Sequence, residues 1–449
     1  MSAKSPRPGA DPTDHDVPDE HLVHRTGHWL PQDKRHHHKF LHDTISHVDK
    51  HPKPLHPVLE EFKEMVEQDS RLYMLFNLMF EQLPANKKYL KDPTGDAQVR
   101  DFNHLLQLMN HVLTTAPRWT VAKHKAGMVG VPVNALLDWP MGTRAGFTVF
   151  QDPKVNAMMK KVLNVWGEFL KSPESAKVLD DQPEHWFGEH GVSSLEEVAN
   201  KAARTSHKFN DMFVCDPSDK YHGYKSWDDF FTRELKEGIR PVAGEDNDDI
   251  VANACESRFY KLAHNVHARD RFWVKGQPYS VNDMLAFDEL AEQFVGGTIY
   301  QAFLSALSYH RWHSPVTGTI KKAYVVDGTY FSEPLYEDFT AEHEADTHGE
   351  CTSQEYISAV ATRALVFIEA DNPKIGLMCF IGVGMTEVST CDITVKEGQK
   401  VKKGEQLGMF HFGGSSHVIL FRKGVKVSGF PDYTEHNVPV RSELCKVSA

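Results

Sequence analysis

The chain has 449 residues, 40% hydrophobic and 25% charged, with a formal net charge of −12 at pH 7. This is an ordinary globular composition, long enough for two or three domains at roughly 150 residues each. An acidic total without a Lys/Arg-rich block argues against nucleic acid as the main partner. Six widely spaced cysteines without a CxxC pair argue against a zinc ribbon or a disulfide scaffold, and fit reduced thiols in a cytoplasmic protein.

The first twenty residues are polar, Pro-rich and acidic. They lack the apolar core of a secretory signal and the composition of a mitochondrial presequence. Residues 1–54 are expected to form a flexible His/Pro-rich arm. His36-His37-His38 reads either as a metal tract or as part of that solvated arm; no regular ligand spacing accompanies it, so no metal site is expected.

From Pro57 to Leu83, apolar residues recur at steps of three and four: Leu59, Phe62, Val66, Leu72, Leu75, Phe76, Met79 and Phe80. This predicts a helical stretch. Similar spacing predicts helices over Val99 to Leu113 and Val155 to Leu170, whose apolar stripes read as core. Met141 to Gly146 has loop character. Ser226, with Asp229 three residues on, is a candidate N-cap for a helix that Gly238 and Pro241 would end. Residues 55–242 are thus expected to be a helical N-terminal domain.

After residue 243, short β-rich runs alternate with turns: Ile299 to Leu304, Gly318 to Val326, Ala364 to Ala370, Gly376 to Val383, Glu387 to Val395 and Met409 to Phe412. Gly376 to Met385 is the most apolar stretch, far short of the ~20 residues that cross a bilayer, so no integral membrane segment is expected. The predicted fold class is α+β, a helical N-terminal region packed on a mainly β catalytic domain at 243–449. No feature speaks to oligomeric state.

Chemistry concentrates between Thr394 and His417. Val395, Gly398, Val401, Lys403-Gly404 and Leu407-Gly408 are similar to the hairpin of lipoyl and biotinyl carriers, but no Lys-centred motif follows. Instead a strand runs into Gly413-Gly414-Ser415-Ser416. Attack of Ser415 Oγ on the carbonyl before it needs an unusual backbone bend and an uncrowded approach, and two glycines permit both. It also needs a base and oxyanion donors. The same residues also read as a polar turn, or as an incomplete nucleophile elbow in which His417 stands where G-x-S-x-G has its last glycine.

A second cluster is Tyr309-His310-Arg311-Trp312-His313-Ser314-Pro315. Histidine is the natural base near neutral pH. Two histidines near each other among 27 also arise by chance, and companion metal ligands are lacking.

Three segments in order, SWDDFFTREL with RPV at 226–242, YHRWHSPVTG at 309–318 and FGGSS at 412–416, resemble the phosphatidylserine decarboxylase family of pyruvoyl enzymes. The resemblance covers about residues 220–449. It implies self-cleavage between Gly414 and Ser415, two chains from one precursor, and a covalent pyruvoyl group derived from Ser415 as the cofactor, with no metal. It implies that Ser415, His313 and an acid form the processing triad, and that His310 serves decarboxylation. The family's Asp in Ala-Asp-Gly corresponds to Glu256 in Asn253-Ala254-Cys255-Glu256-Ser257, and its Leu-Gly-Ser-Thr to Gly413-Gly414-Ser415-Ser416. Both departures resemble a fungal branch that decarboxylates tryptophan, as in psilocybin biosynthesis, and GMTE at 384–387 fits it too. That branch implies a small amino-acid substrate and tryptamine as product. Two alternatives stand beside it: a phosphatidylserine decarboxylase making phosphatidylethanolamine, and a non-processing binding module.

Overall fold

The computed structural model describes residues 34–82, 99–121, 126–269, 279–332, 354–388, 390–412, 415–432 and 436–448. The Gly414–Ser415 bond, Gly413, and residues 1–33 of the expected arm lie outside the described residues.

The N-terminal half carries α1 (Lys34–Lys50), α2 (Pro57–Glu67), α3 (Ser70–Glu81), α4 (Phe102–Val112), α5 (Pro132–Leu137), α6 (Arg144–Phe150), α7 (Pro153–Lys171), α8 (Glu189–Ala203), α9 (Phe209–Met212) and α10 (Trp227–Phe231). A two-stranded hairpin, β1 (Trp119–Val121) and β2 (Ala126–Met128), interrupts them. Two expectations are corrected here. The stretch expected as a flexible arm contains α1, which buries Leu41, Val48, His36 and His37; Gly127 has no side chain where the His36 ring lies, since a Cβ there would sit 2.6 Å from it. The single helical run expected over 57–83 breaks at Asp69. Its carboxylate accepts the Arg71 and Leu72 N–H groups and caps a new helix, α3.

Ser226 caps α10 by accepting the Asp229 N–H at 3.1 Å. That helix ends at Phe231, well before Gly238, because Leu235 pairs with Phe213 in a β-bridge instead.

The second half carries β3 (Ile250–Ala252), β4 (Arg258–His264), β5 (Thr298–Leu304), β6 (Arg311–His313), β7 (Gly318–Val326), β8 (Arg363–Ala370), β9 (Leu377–Gly384), β10 (Thr390–Ile393), β11 (Lys400–Val401), β12 (Gln406–His411), β13 (Ser415–Phe421), β14 (Lys426–Ser428) and β15 (Glu443–Ser448). Short helices α11 (Val281–Met284) and α12 (Gln354–Val360) lie among them. The class is α+β. A seven-stranded antiparallel sheet has the order β11-β7-β8-β9-β13-β5-β4, and a three-stranded sheet has the order β10-β12-β6.

The central strands β5, β9 and β13 are buried along their whole length. Their side chains alternate between two cores. Ile419 and Phe421 join the large cluster that continues into the helices, while Val418 and Leu420 join a second cluster on the opposite face. Ser415 shares the odd-numbered face with Ile419 and Phe421; Ser416 shares the other. Several contacts tie the N-terminal helices to this sheet region, among them the N–H groups of Val133 and Asn134 on the Glu387 carboxylate, and the Trp166 ring beside Phe412.

Candidate active site

Ser415 opens β13 between two strands. It lies opposite Gly384 on β9 and Leu304 on β5. Its side chain is fully buried, and its Oγ has no hydrogen-bond partner among the described residues. An unpaired buried hydroxyl costs about 1–3 kcal/mol. The next serine differs: Ser416 Oγ donates to Gln354 Oε1 at 3.1 Å and accepts from Gln301 Nε2 at 3.2 Å, on the other face of the sheet. Gly384, across from Ser415, leaves the space beside it free of a Cβ. A cavity of about 20 Å³ starts there, lined by Asn134, Met141, Tyr330, Ser332 and Thr386 among others.

The two histidines of the HRWH run sit in different surroundings. β6 pairs antiparallel with β12, so His310 falls at the end of β12 that leads into Ser415, and the Phe410 N–H donates to its carbonyl at 3.0 Å. The His310 ring is fully buried, stacks on Phe231 at 3.9 Å, and bonds the backbone of Ser305, the residue after Ser415's cross-strand partner Leu304. Burial, then the Arg233 charge, push its pKa well below the usual histidine value, so the ring is neutral at pH 7.

His313 lies further from that end, opposite Gln406. Its Nδ1 is 2.9 Å from the Gly404 carbonyl, which can only accept, and 3.1 Å from Arg441 Nη2, which can only donate. Nε2 shares a hydrogen bond with the Tyr309 hydroxyl at 2.9 Å. Arg441 Nε donates to the same Gly404 oxygen at 3.0 Å. Burial, and then Arg441, lower the His313 pKa to about 3.

Glu256 is engaged elsewhere. Arg240 Nη2 and Nε donate to its two oxygens at 2.7 and 3.1 Å, and the Val440 N–H donates at 2.8 Å. Both side chains of the pair are 3% exposed. The segment does approach His313, whose N–H donates to the Ala254 carbonyl at 2.9 Å. The groups that meet the His313 ring are nevertheless the Gly404 carbonyl, Arg441 and the Tyr309 hydroxyl, not the Glu256 carboxylate.

Several residues that organise the site were not singled out as site residues from the sequence. Arg233 is buried and donates to the Leu307 and Ser308 carbonyls at 2.8 and 2.9 Å, pinning the loop that delivers His310. Asp228 accepts from His411 Nδ1 at 2.8 Å, four residues before Ser415. Trp312 packs between Gly382 and Gly408, where Cβ atoms would come within 3.0 and 2.8 Å of its ring. Gly408, read as part of a carrier-like hairpin, thus makes room for the tryptophan of HRWH. Asp228 and Arg233 both fall inside SWDDFFTREL, so that segment's charged residues were the available signal. Among the described residues no group of three or more His, Cys, Asp or Glu side chains could hold a metal ion, and no helix is long and apolar enough to cross a membrane.

Ser415 is thus a buried serine without a hydrogen-bond partner among the described residues at the head of a central strand, and His310 lies at the end of β12 that leads toward it. Comparison with known proteins gives the chain its family. The family model described as phosphatidylserine decarboxylase matches residues 227–439, and a second model of that description matches residues 56–195. The decarboxylase iboD of Amanita muscaria is 44% identical over 328 residues, 70% of this chain and 91% of that protein. The L-tryptophan decarboxylases of Psilocybe cubensis and Psilocybe cyanescens are each 36% identical, over 85% and 92% of this chain and 84% and 92% of theirs. The chain belongs to the phosphatidylserine decarboxylase family and is a carboxy-lyase.

Proposed function

We propose that this chain cuts itself between Gly414 and Ser415, converts Ser415 into a pyruvoyl group, and decarboxylates an aromatic L-amino acid in the cytoplasm, L-tryptophan to tryptamine. The observation that carries this reading is the Ser415 hydroxyl, fully buried at the head of β13 with no hydrogen-bond partner among the described residues. The relatives named L-tryptophan decarboxylase support the substrate.

Ser415 Oγ adds to the Gly414 carbonyl; the peptide C–N bond breaks and the Oγ proton ends on the freed amine, leaving an ester. A base removes the Ser415 α-proton, and the Gly414 carboxylate leaves from the β-carbon, which divides the chain. The resulting 2-aminoacryloyl end becomes an imine, adds one water and loses ammonia, which leaves a ketone. The buried, glycine-flanked position of Ser415 fits such a group, since Gly384 leaves room opposite it and the surrounding strands exclude bulk water.

The pyruvoyl group supplies an electron sink for the charge left when CO₂ departs. His310, neutral and at the end of β12 that leads into Ser415, is assigned the proton returned to the substrate α-carbon. His313 is assigned the Ser415 proton during processing, on the resemblance of HRWH to the family's pair; to take it, Nε2 must exchange the Tyr309 bond or relay through that hydroxyl. Glu256 is assigned a supporting role, holding Arg240 and the Val440 backbone beneath the site.

The test is release of CO₂ from L-tryptophan, other aromatic amino acids, and phosphatidylserine vesicles, by wild type and Ser415→Ala. Turnover of tryptophan by wild type alone supports the reading. Turnover of phosphatidylserine in its place would move the substrate to the lipid, and equal turnover by Ser415→Ala would remove the serine from the chemistry.

A further inference from the structure

The helical region reaches the strand that leads into the cleavage segment at Phe412 and His411. Phe412 is the last described residue before Gly413-Gly414, and it is 3% exposed. Its φ is +57°, in the left-handed region that bulky residues rarely adopt. Such a conformation persists where the surroundings over-determine it.

Those surroundings are α7. A Cβ on Gly167 would lie 2.8 Å from Cε2 and 3.3 Å from Cζ of Phe412, so the ring rests directly on the helix where that side chain is missing. Trp166 flanks the ring at 6.4 Å between centroids, and Lys171 Nζ stands 5.7 Å above it. Gly167 and Lys171 are four apart and share a helix face. Trp166 is itself fixed, its Nε1 donating to the Thr115 carbonyl at 2.8 Å. The preceding residue is fastened as well, because His411 Nδ1 meets Asp228 of α10 at 2.8 Å. On the far side of the bond, Ser415 is held in the central sheet between Gly384 and Leu304. Two residues therefore join a point fixed by α7 and α10 to a point fixed by β9 and β5.

We propose that the notch on α7 at Gly167, with Trp166 and Lys171, is a positioning device for self-cleavage: it seats Phe412 and thereby presents the acyl side of the Gly414–Ser415 bond to Ser415 Oγ. Phe412 and Gly167 are positioning residues that act through the backbone they hold. The inference rests on the self-cleavage reading above and gives the helical region a role in it. Ordinary packing would predict only a loss of stability; a seat predicts slower cleavage in molecules that are folded.

The experiment is pulse–chase translation of the full chain in a cell-free system, following the uncut chain and the fragment 415–449, with the folded fraction measured in parallel by protease resistance. Phe412→Ala and Gly167→Ala are expected to slow cleavage per folded molecule by about tenfold or more, the size expected when a reacting group is misplaced. Phe412→Leu should retain much of the wild-type rate. Once cut, each variant should turn over substrate with wild-type kcat and KM per mole of pyruvoyl group. Val155→Ala, a fully buried position about three turns away on α7, should lose stability but cleave at the wild-type rate. If Phe412→Ala fails to fold, Gly167→Ala, which adds one methyl group, decides. Wild-type cleavage rates in folded Gly167→Ala, or equal slowing by Val155→Ala, would overturn the seat while leaving self-cleavage intact. A wild-type chain that is never cut would remove the self-cleavage reading itself.

Discussion

Arg240 and Glu256 form a two-pronged ion pair, 2.7 and 3.1 Å long, with both side chains 3% exposed. The carboxylate that the family pattern would assign to His313 is committed to a guanidinium sixteen residues earlier in the chain. Removing one partner of a buried pair leaves the other charge without compensation, at a cost of about 3–5 kcal/mol. Glu256→Gln is therefore expected to lower stability by that order in urea unfolding, and Arg240→Met alone to do the same. The double variant Arg240→Met/Glu256→Gln should lose much less than the sum. If Glu256→Gln instead kept full stability and stopped cleavage, the carboxylate would belong to the processing machinery directly.

The two histidines should separate by variant. His313→Ala is expected to accumulate the uncut chain. His310→Ala is expected to yield both chains yet lose on the order of 10²-fold or more in kcat, the usual size of a general acid–base contribution. Gel analysis of cleavage alongside CO₂ release checks both. Loss of cleavage in His310→Ala with normal cleavage in His313→Ala would exchange the two assignments.

Acid should destabilise the fold over a defined window. His313 and His417 are held near pKa 3 and His111 near 4, each mainly by burial, against 6.5 when unfolded. Between those limits the unfolded chain binds more protons, so stability is full above about pH 6.5 and falls as pH drops toward 3–4. Each group contributes at most about 1.4 kcal/mol per pH unit. Unfolding free energy measured from pH 7.5 to 4.5 should decline steeply below 6.5, and His417→Gln should lessen the slope by up to one group's share.

Glu387 has the opposite sign. Burial raises its pKa to about 7 from 4.5, although the Asn134 and Val133 N–H groups favour the charged form. The folded chain binds the extra proton between those values, so this contribution is fully present below pH 4.5 and is lost as pH rises through 7. Glu387→Gln keeps an oxygen for the two N–H groups. It should gain stability relative to wild type as pH rises from 5 to 8, read as the difference in Tm at each pH. A constant difference across that range would show that the carboxyl does not titrate there.

Much of the site was legible because it lies in short runs of specific chemistry. Ser415 behind two glycines, and His310 and His313 around Trp312, stand out by residue type and spacing. Their partners do not. Glu256 finds Arg240, and His411 finds Asp228 across 183 positions, through the tertiary fold. No local pattern marks the Gly404 carbonyl and Arg441 as the groups that meet His313 Nδ1. The histidines of α1 were read as solvated because polar runs usually are, whereas the Gly127 gap buries His36. Three strands of the central sheet were easier, since β5, β8 and β9 are nearly continuous apolar runs buried on both faces, whereas β13, which opens on the polar Ser415-Ser416-His417, was not among the expected strands.

The most direct test of the account is the intact mass of the purified protein under denaturing conditions. The account predicts two chains, residues 1–414 ending in a free carboxylate and residues 415–449 beginning with a pyruvoyl group and lacking a free amine. A single uncut chain of 449 residues in a preparation that decarboxylates its substrate would contradict it.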